Sequence, residues 1–212
     1  LDRDVREISN IAGLRDFPLL FRLLATRTAN LLNISDLSRS LSMTNPTLKR
    51  YITILEALFF IYLIPSWFSN LGKRVIKSPK IHICDTGILS YLLTIDEKKL
   101  ATDPILAGMM LETFVFTELQ KLRSWSPIRF ELYHFRDSRY KVDFILEQPD
   151  GTLIGIEVKS THSIDSNDLK GLRHLRALTK KKFLRGIVLY QGDQMGCFDD
   201  NLWTIPIQAL WE

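Results

Sequence analysis

A hairpin-like segment, residues 140–160, constrains the fold of this chain more than any other feature. Two apolar runs flank the turn sequence Pro-Asp-Gly at positions 149–151, and each run carries a carboxylate where a simple hairpin would have Thr or Val. Because the turn centres on Asp150, the numbers of directly opposed residues sum to 300, and Asp143 is predicted opposite Glu157. Side chains alternate between the faces of a strand, so Lys159 is predicted on the same face as these carboxylates. The other face is then apolar and carries Val142, Phe144, Leu146, Ile154, Ile156 and Val158.

Two opposed carboxylates repel each other and destabilise a hairpin. A divalent cation would offset the repulsion, since Mg²⁺ binds a few carboxylates and keeps several waters, one of which can become a nucleophile. We therefore predict a Mg²⁺ or Mn²⁺ site with Asp143 and Glu157 as ligands. Lys159 would orient the water or stabilise charge on a phosphate. The alternative is a solvated strand face on which these three side chains form a weak ion pair.

A third acid lies in the helix predicted from residue 104 onward, which Asp103 caps and Pro104 opens. Glu112 falls at helical spacing inside an apolar stripe made of Ile105, Met109, Phe116 and Leu119. A carboxylate on a buried stripe is costly unless it is paired. We predict that Glu112 joins the same site, as a cation ligand or through a water. The alternative is that it lies at the margin of the stripe and pairs with a basic neighbour.

Residues 33–95 predict a winged helix-turn-helix. Ser35 is expected to cap a short helix, and Thr44 or Asn45 a longer one with Pro46 in its first turn. Apolar side chains follow at helical spacing in the longer helix: Leu48, Tyr51, Ile52, Leu55 and Leu58. Two β segments around the turn Asn-Leu-Gly-Lys-Arg at 70–74 form the predicted wing, and a helix over residues 86–93 closes the unit.

Basic residues of this unit predict a nucleic-acid contact surface. The predicted set is Lys49 and Arg50 in the longer helix and Lys73, Arg74, Lys77 and Lys80 in the wing. Alternatively the unit binds protein, its basic residues are solvated, and its core contains Tyr51, Phe59, Phe60 and Trp67.

The order of elements predicts an α/β (α+β) protein. Residues 1–32 form a helical segment, with a helix from Asp4 to about Leu32, and residues 33–95 the winged helix. A polar linker follows. Residues 103–212 form an α/β domain with a long helix, a three-stranded meander, a helix capped by Ser166 or Asn167, and closing strands.

Composition excludes several classes of protein. The net charge of +4 over 212 residues favours an anionic partner only weakly. Two distant cysteines, Cys84 and Cys197, and four scattered histidines predict neither a disulfide framework nor a zinc site. The scarcity of cysteines indicates a reducing, cytoplasmic setting. The longest apolar run contains Glu56 and Pro65 and is too short for a bilayer, so no membrane contact is expected. The sequence has no GxxxxGK[ST] loop. Because it begins with Leu, we expect a fragment of a longer protein.

Three motifs together resemble the PD-(D/E)xK nuclease superfamily: GMMLE at 108–112, VDF at 142–144 and IEVK at 156–159. Their spacing is similar to that of its archaeal Holliday-junction resolvase branch. The resemblance implies a restriction-endonuclease-like α/β domain. It also implies catalytic residues Glu112, Asp143, Glu157 and Lys159, the three acids being ligands of Mg²⁺ or Mn²⁺. Val142 stands where the superfamily's eponymous Pro would be.

A wider resemblance covers residues 1–11, 47–67, 70–93 and 108–119. These segments are similar to the C-terminal module of a large family of bacterial and archaeal AAA-type ATPases, in which a P-loop ATPase precedes a winged helix and a PD-(D/E)xK-like domain. The resemblance implies two partners, an ATPase domain of the same full-length chain and nucleic acid, with DNA as the expected kind. The expected function is a Mg²⁺-dependent nuclease with a DNA-binding winged helix. The alternatives are a non-catalytic DNA-binding or protein-interaction module that regulates the ATPase, and a purely structural domain.

Overall fold

A computed structural model describes residues 16–70, 72, 74 and 77–211. The helices and strands of this part of the chain follow one another in the order α1 Asp16–Ala25, β1 Asn30–Leu31, α2 Ile34–Leu41, α3 Asn45–Ala57, β2 Ile61–Ile64, β3 Lys80–Ile83, α4 Thr86–Leu93, α5 Glu97–Thr102, α6 Pro104–Trp125, β4 Glu131–Arg136, β5 Lys141–Glu147, β6 Leu153–Lys159, α7 Lys170–Thr179, β7 Phe183–Tyr190, β8 Gly196–Asp199 and β9 Leu202–Pro206. The strands form a three-stranded sheet in the order β1-β3-β2 and a six-stranded mixed sheet in the order β4-β5-β6-β7-β9-β8. The protein is thus of mixed α/β class. None of the helices in these described stretches is long and apolar enough to cross a lipid bilayer.

The described part of residues 16–93, which we call the N-terminal unit, packs its helices and small sheet around one apolar core. The side chain of Thr44 caps α3 by accepting from the backbone N–H of Thr47, and Pro46 lies in the first turn, so the predicted start of this helix is confirmed. The predicted cap of the preceding helix is wrong, because Asn33 rather than Ser35 accepts from the N–H of Asp36.

The chain leaves the helical conformation earlier than predicted. Helix α1 ends at Ala25, and residues 30–31 form strand β1 against β3, where the expected helix would have continued to Leu32. The part of that expected helix before residue 16 lies outside the described residues.

The two predicted β segments of the wing exist and pair antiparallel, with Ile61 opposite Ile83 and Ile64 opposite Lys80. Residues 65–79 separate them, which is a longer connection than the predicted turn at 70–74. The assignment of this unit as a winged helix stays an interpretation.

The segment between the units is partly helical. Residues predicted as a polar linker include α5, whose first turn is capped by the side chain of Asp96. Helix α6 then begins as predicted, with the side chain of Asp103 accepting from the N–H of Leu106 and Pro104 in the first turn. Residues 103–211, from this cap onward, are called the C-terminal unit below.

The predicted meander β4-β5-β6 is confirmed, and so is the register of its second hairpin. Phe144 lies opposite Ile156 and Leu146 opposite Ile154, each pair summing to 300. Strand β6 then pairs parallel with β7, β7 pairs parallel with β9, and β8 pairs antiparallel with β9 as an edge strand that was not predicted. Helix α7 starts at Lys170, later than the expected caps at Ser166 or Asn167.

The six-stranded sheet is covered by a helix on each face. Helix α6 packs on the face that carries Phe144 and Ile156. Helix α7 packs on the other face, where a Cβ atom added to Gly155 would come within 2.8 Å of Leu172. The sheet is therefore buried on both sides, and polar side chains on its central strands need internal partners.

A β-bulge interrupts the alternation of β5 at Asp143. Tyr133 lies opposite Ile145 and Phe135 lies opposite Val142, so two steps along β4 match three steps along β5. Val142 consequently packs with Ile145 in the α7 cluster, and the prediction that it shares a face with Phe144 is wrong. A bulge re-aims the side chain at which it occurs. Here it explains why Asp143 can reach residues on the α6 side of the sheet.

Candidate functional site

Seven charged side chains of alternating sign lie at the end of the sheet where β5 begins and β6 ends. In order along this charge array they are Glu112, Lys80, Asp143, Lys141, Glu157, Lys159 and Asp168. The successive distances between ammonium nitrogen and carboxylate oxygen are 2.7, 3.4, 3.1, 4.0, 3.3 and 3.4 Å. The structure thus brings together the four predicted catalytic residues, Glu112, Asp143, Glu157 and Lys159, and adds three that were not predicted there.

Asp143 is the anchor of the charge array. Its Oδ1 atom faces the ammonium groups of Lys80 and Lys141, and its Oδ2 atom accepts a hydrogen bond of 3.1 Å from the backbone N–H of Val158. Burial raises the pKa of this carboxyl, but the two lysine charges and the hydrogen bond outweigh it and lower the pKa to about 2. Asp143 is therefore ionised at neutral pH.

Glu157 is the least compensated member of the charge array. It is buried, and its Oε2 atom has no hydrogen-bond partner among the described residues. Burial and the charge of Asp143 raise its pKa to about 8, against the opposing effect of Lys141 and Lys159. An additional cation close to the Oε2 atom would therefore be bound favourably by this carboxylate.

Glu112 projects from α6 and pairs with Lys80, whose Nζ atom lies 2.7 Å from its Oε1 atom. Pairing with a basic neighbour was the alternative expectation for this residue. Burial and the charge of Asp143 raise the pKa of Glu112 to about 7, although Lys80 acts in the opposite direction. Burial alone would lower the pKa of Lys80, but the charges of Glu112 and Asp143 raise it, so Lys80 is an ammonium ion.

A buried histidine extends the polar contacts behind Glu112. The His82 ring stacks on Phe116 with centroids 4.6 Å apart, and its Nδ1 atom lies 3.4 Å from the hydroxyl of Thr113. Its Nε2 atom lies 3.8 Å from Oε1 of Glu112 and has no hydrogen-bond partner in the described part of the chain. Burial and the charge of Lys80 hold the pKa of His82 well below its ordinary value. The ring is neutral and makes no ion pair.

The predicted nucleic-acid contacts do not form one surface. Lys80 is buried in the charge array, and Arg74 binds both carboxylate oxygens of Glu147 while lying over the rings of Trp67 and Tyr133. The prediction that these two side chains contact phosphate is wrong, because each is engaged inside the protein. The exposed residues Lys49, Arg50 and Lys77 stay predicted contacts, and Lys73 lies outside the described residues.

The expected apolar core of the N-terminal unit is present in part. Tyr51 is buried in this core, whereas Trp67 is buried in the apolar cluster of the C-terminal unit beneath α7 and Phe59 is 67% exposed. Phe60 is half-buried and its ring packs edge-on against Phe21.

A cation site made of three carboxylates is not preformed. Within residues 16–70, 72, 74 and 77–211, no group of three or more His, Cys, Asp or Glu side chains is arranged to hold a metal ion. The reason is the interposition of Lys80 between Glu112 and Asp143 and of Lys141 between Asp143 and Glu157. The predicted ligand set of Asp143, Glu157 and Glu112 stays a prediction.

The fold and this site define a mixed α/β protein with a partly buried charge array to which both units contribute side chains. Comparison with protein families found matches to two domains of unknown function. Residues 1–99 match the domain of unknown function DUF8612, and residues 107–210 match DUF4143. Every residue of the charge array except Lys80 lies in the DUF4143 range.

Similar curated proteins include an uncharacterised protein of Mycobacterium tuberculosis and one of Mycobacterium bovis. Each is 30% identical over 213 aligned positions, which cover 99% of this chain and 46% of the relative. The chain thus spans about half the length of these relatives. A solved assembly of McrB AAA+ hexamers with bound McrC from Thermococcus gammatolerans is 13% identical, with 89% of this chain and 46% of that chain covered. Its TM-score of 0.34 does not establish a shared fold.

Proposed function

We propose that the C-terminal unit is a nucleic-acid phosphodiesterase of the PD-(D/E)xK nuclease type, in which Asp143 and Glu157 hold a divalent cation, Mg²⁺ or Mn²⁺. One observation carries the proposal. The buried carboxyl of Glu157 has an oxygen atom without a partner among the described residues, and Asp143 lies close by, since both carboxylates face the ammonium of Lys141, at 4.0 and 3.1 Å. A buried carboxylate of this kind is costly, and a cation bound to both carboxylates would remove the cost.

The charge array has one position where a cation could bind to both carboxylates, namely the place that Lys141 occupies between them. Lys141 lies between Asp143 and Glu157, but its side chain is 54% exposed and can turn into solvent. Lys80 is buried and cannot leave in this way. The proposed ligands are therefore Asp143 and Glu157, and Glu112 acts through its contact with Lys80.

The residues of this chain have distinct proposed roles in hydrolysis. A bound divalent cation would supply the positive charge that phosphodiester hydrolysis needs near the attacked phosphorus. Asp143 is ionised and fixed by the N–H of Val158. Lys159 is partly exposed and held by Glu157 and Asp168, at 3.3 and 3.4 Å, so its ammonium can donate to a phosphate oxygen that arrives from solvent.

Cation binding is the decisive measurement for this proposal. Calorimetric titration of Mn²⁺ and Mg²⁺ into the wild-type protein is expected to give one site, which Asp143→Asn and Glu157→Gln each weaken strongly. Asp150→Asn removes a carboxylate from the exposed turn of the same hairpin and should leave binding unchanged. If wild-type protein and all variants bind neither cation, the proposal is wrong.

A second function is favoured by the internal neutralisation of the charge array. Each carboxylate already lies near an ammonium group, and Lys80 links the N-terminal unit to the C-terminal unit. Such an array can hold the two units together in a non-catalytic module. In that module the exposed residues Lys49, Arg50 and Lys77 would contact DNA. Attachment of either module to an AAA-type ATPase domain of the same chain is a proposal that rests on the sequence resemblance alone.

A further inference from the structure

Lys80 is held in position by backbone pairing on both sides. It lies in β3, the central strand of the small sheet, opposite Leu31 of β1 and Ile64 of β2. Its ammonium group crosses to the C-terminal unit, where it lies over the ring of Phe144 and between Glu112 and Asp143. The N-terminal unit thus contributes a buried charge to the acidic centre of the other unit.

The place that this ammonium occupies has the character of a cation site. Two buried carboxylates from different elements converge on it, at 2.7 Å for Glu112 and 3.4 Å for Asp143. Both belong to the set of acids that the sequence predicted as cation ligands. A lysine fixed between them supplies one positive charge permanently, and it repels any divalent cation that approaches Asp143.

We infer that Lys80 is an internal cation that competes with a divalent cation for the acidic centre. The N-terminal unit, through the position of β3 relative to α6, thereby sets the cation affinity of the C-terminal unit. This inference rests on the proposed function, because it concerns the affinity of the same site. Lys80 would thus have a regulatory role that requires both units, since the lysine comes from one unit and the carboxylates come from the other.

The two lysines that face Asp143 differ in a way that the inference uses. Lys141 is half-exposed, so its ammonium can turn into solvent when a bound cation takes over its charge beside Asp143. Lys80 is enclosed and would have to be withdrawn with its strand. A shift of β3 away from α6 would therefore raise cation affinity, and tight docking of the units would lower it.

Opposite effects of two substitutions in the same ion pair test the inference. Mn²⁺ binding is measured by electron paramagnetic resonance and by calorimetry on wild-type protein, Lys80→Met and Glu112→Gln. Lys80→Met is expected to bind Mn²⁺ more tightly, since it removes the competing charge. Glu112→Gln is expected to bind it more weakly, because Lys80 then pairs with Asp143 alone. A contact that is merely structural would shift both variants in the same direction. Lys98→Met removes an exposed lysine of α5 that belongs to neither the charge array nor the predicted DNA contacts, and it should match the wild type.

The outcomes separate this inference from the proposed function. If wild type binds Mn²⁺ through Asp143 and Glu157 but Lys80→Met leaves the affinity unchanged, the inference is overturned and the proposed function stands. If wild type does not bind while Lys80→Met does, the lysine closes the site and the inference is supported. If no protein binds, both fail. Should Lys80→Met unfold in chelator, recovery of its melting transition on addition of Mn²⁺ supports the inference. If Lys80→Met stays unfolded even with Mn²⁺, the Mn²⁺ affinity of Glu112→Gln decides. An affinity equal to or higher than that of the wild type overturns the inference, and a lower affinity supports it.

Discussion

The ammonium of Lys80 and the carboxylate of Glu112 form a buried ion pair of 2.7 Å between β3 in one sheet and α6 on the face of the other. Among the described residues, neither side chain forms an ion pair within its own unit. A buried ion pair contributes little net stability over an apolar pair, but the loss of one partner is costly because the other charge stays buried. The contact therefore makes the docking of the two units depend on charge.

We expect Lys80→Met to destabilise the protein in the presence of a chelator. The substitution leaves Glu112 and Asp143 buried without their shared counter-ion, which costs about 3–5 kcal/mol by analogy with other broken buried pairs. Urea denaturation in EDTA measures the change in the free energy of unfolding. The exposed Lys77→Met serves as control. A loss no larger than that of the control would show that the array does not couple the units.

The free energy of unfolding of the wild-type protein is expected to fall as the pH rises, because Glu157 holds a proton in the folded state. Its pKa is raised from 4.5 to about 8 in the folded state, so the native protein keeps a proton that the unfolded chain releases between these values. Stability falls with pH wherever the native state binds more protons, by up to about 1.4 kcal/mol per pH unit for one group. Glu157→Gln carries no such proton and should gain stability relative to wild type between pH 5 and pH 9.

Melting temperatures of wild type and Glu157→Gln, recorded in EDTA across that pH range, check this prediction. The difference should be smallest at pH 5 and should grow towards pH 8, then level off. Asp150→Asn in the turn of the same hairpin provides the comparison, since it changes an exposed carboxylate. Parallel curves for wild type and Glu157→Gln would contradict the assigned shift of the pKa.

The parts of the site that the sequence predicted are those fixed by short-range rules. The turn at 149–151 sets the register of the β5–β6 hairpin, and this register brings Asp143 close to Glu157. Glu112 was found because a carboxylate interrupts an apolar helical stripe. Lys80 was missed because it is 32 residues from Glu112 and 63 from Asp143 in the chain, and no local pattern records a contact between two units.

Two features of the fold were beyond the reach of the same rules. The bulge in β5 inserts one residue into an otherwise regular strand, and this places Val142 on the α7 side although strict alternation predicted the α6 side. The short edge strand β8 contains Gly196 and Asp199, residue types that are depleted in strands, so its pairing with β9 comes from tertiary context.

Binding to DNA through the N-terminal unit should depend on salt if Lys49 and Arg50 contact phosphates. Each phosphate contact that is removed lowers the slope of log affinity against log salt by about one. We expect Lys49→Ala and Arg50→Ala each to reduce both the affinity for duplex DNA and this slope. Lys98→Ala in α5 changes a lysine that is also exposed and should reproduce the wild-type slope. A flat salt titration of the wild type would exclude phosphate contacts and favour a protein partner.

Cleavage should depend on Lys159 far more than cation binding does. Its ammonium contacts Glu157 and Asp168 at the rim of the charge array, where it can donate to a phosphate oxygen. We expect Lys159→Ala to lower the rate of hydrolysis by about 10²–10³, the effect of removing one preorganised donor. Its affinity for Mn²⁺ should be retained or increased, because a positive charge has been removed from beside a ligand.

Rates are measured on duplex, branched and single-stranded DNA and on RNA at saturating Mn²⁺, with Lys170→Ala at the exposed start of α7 as control. Cleavage by Lys159→Ala at the wild-type rate would rule out this role for the lysine, whereas loss of cation binding would mean that it supports the ligands instead.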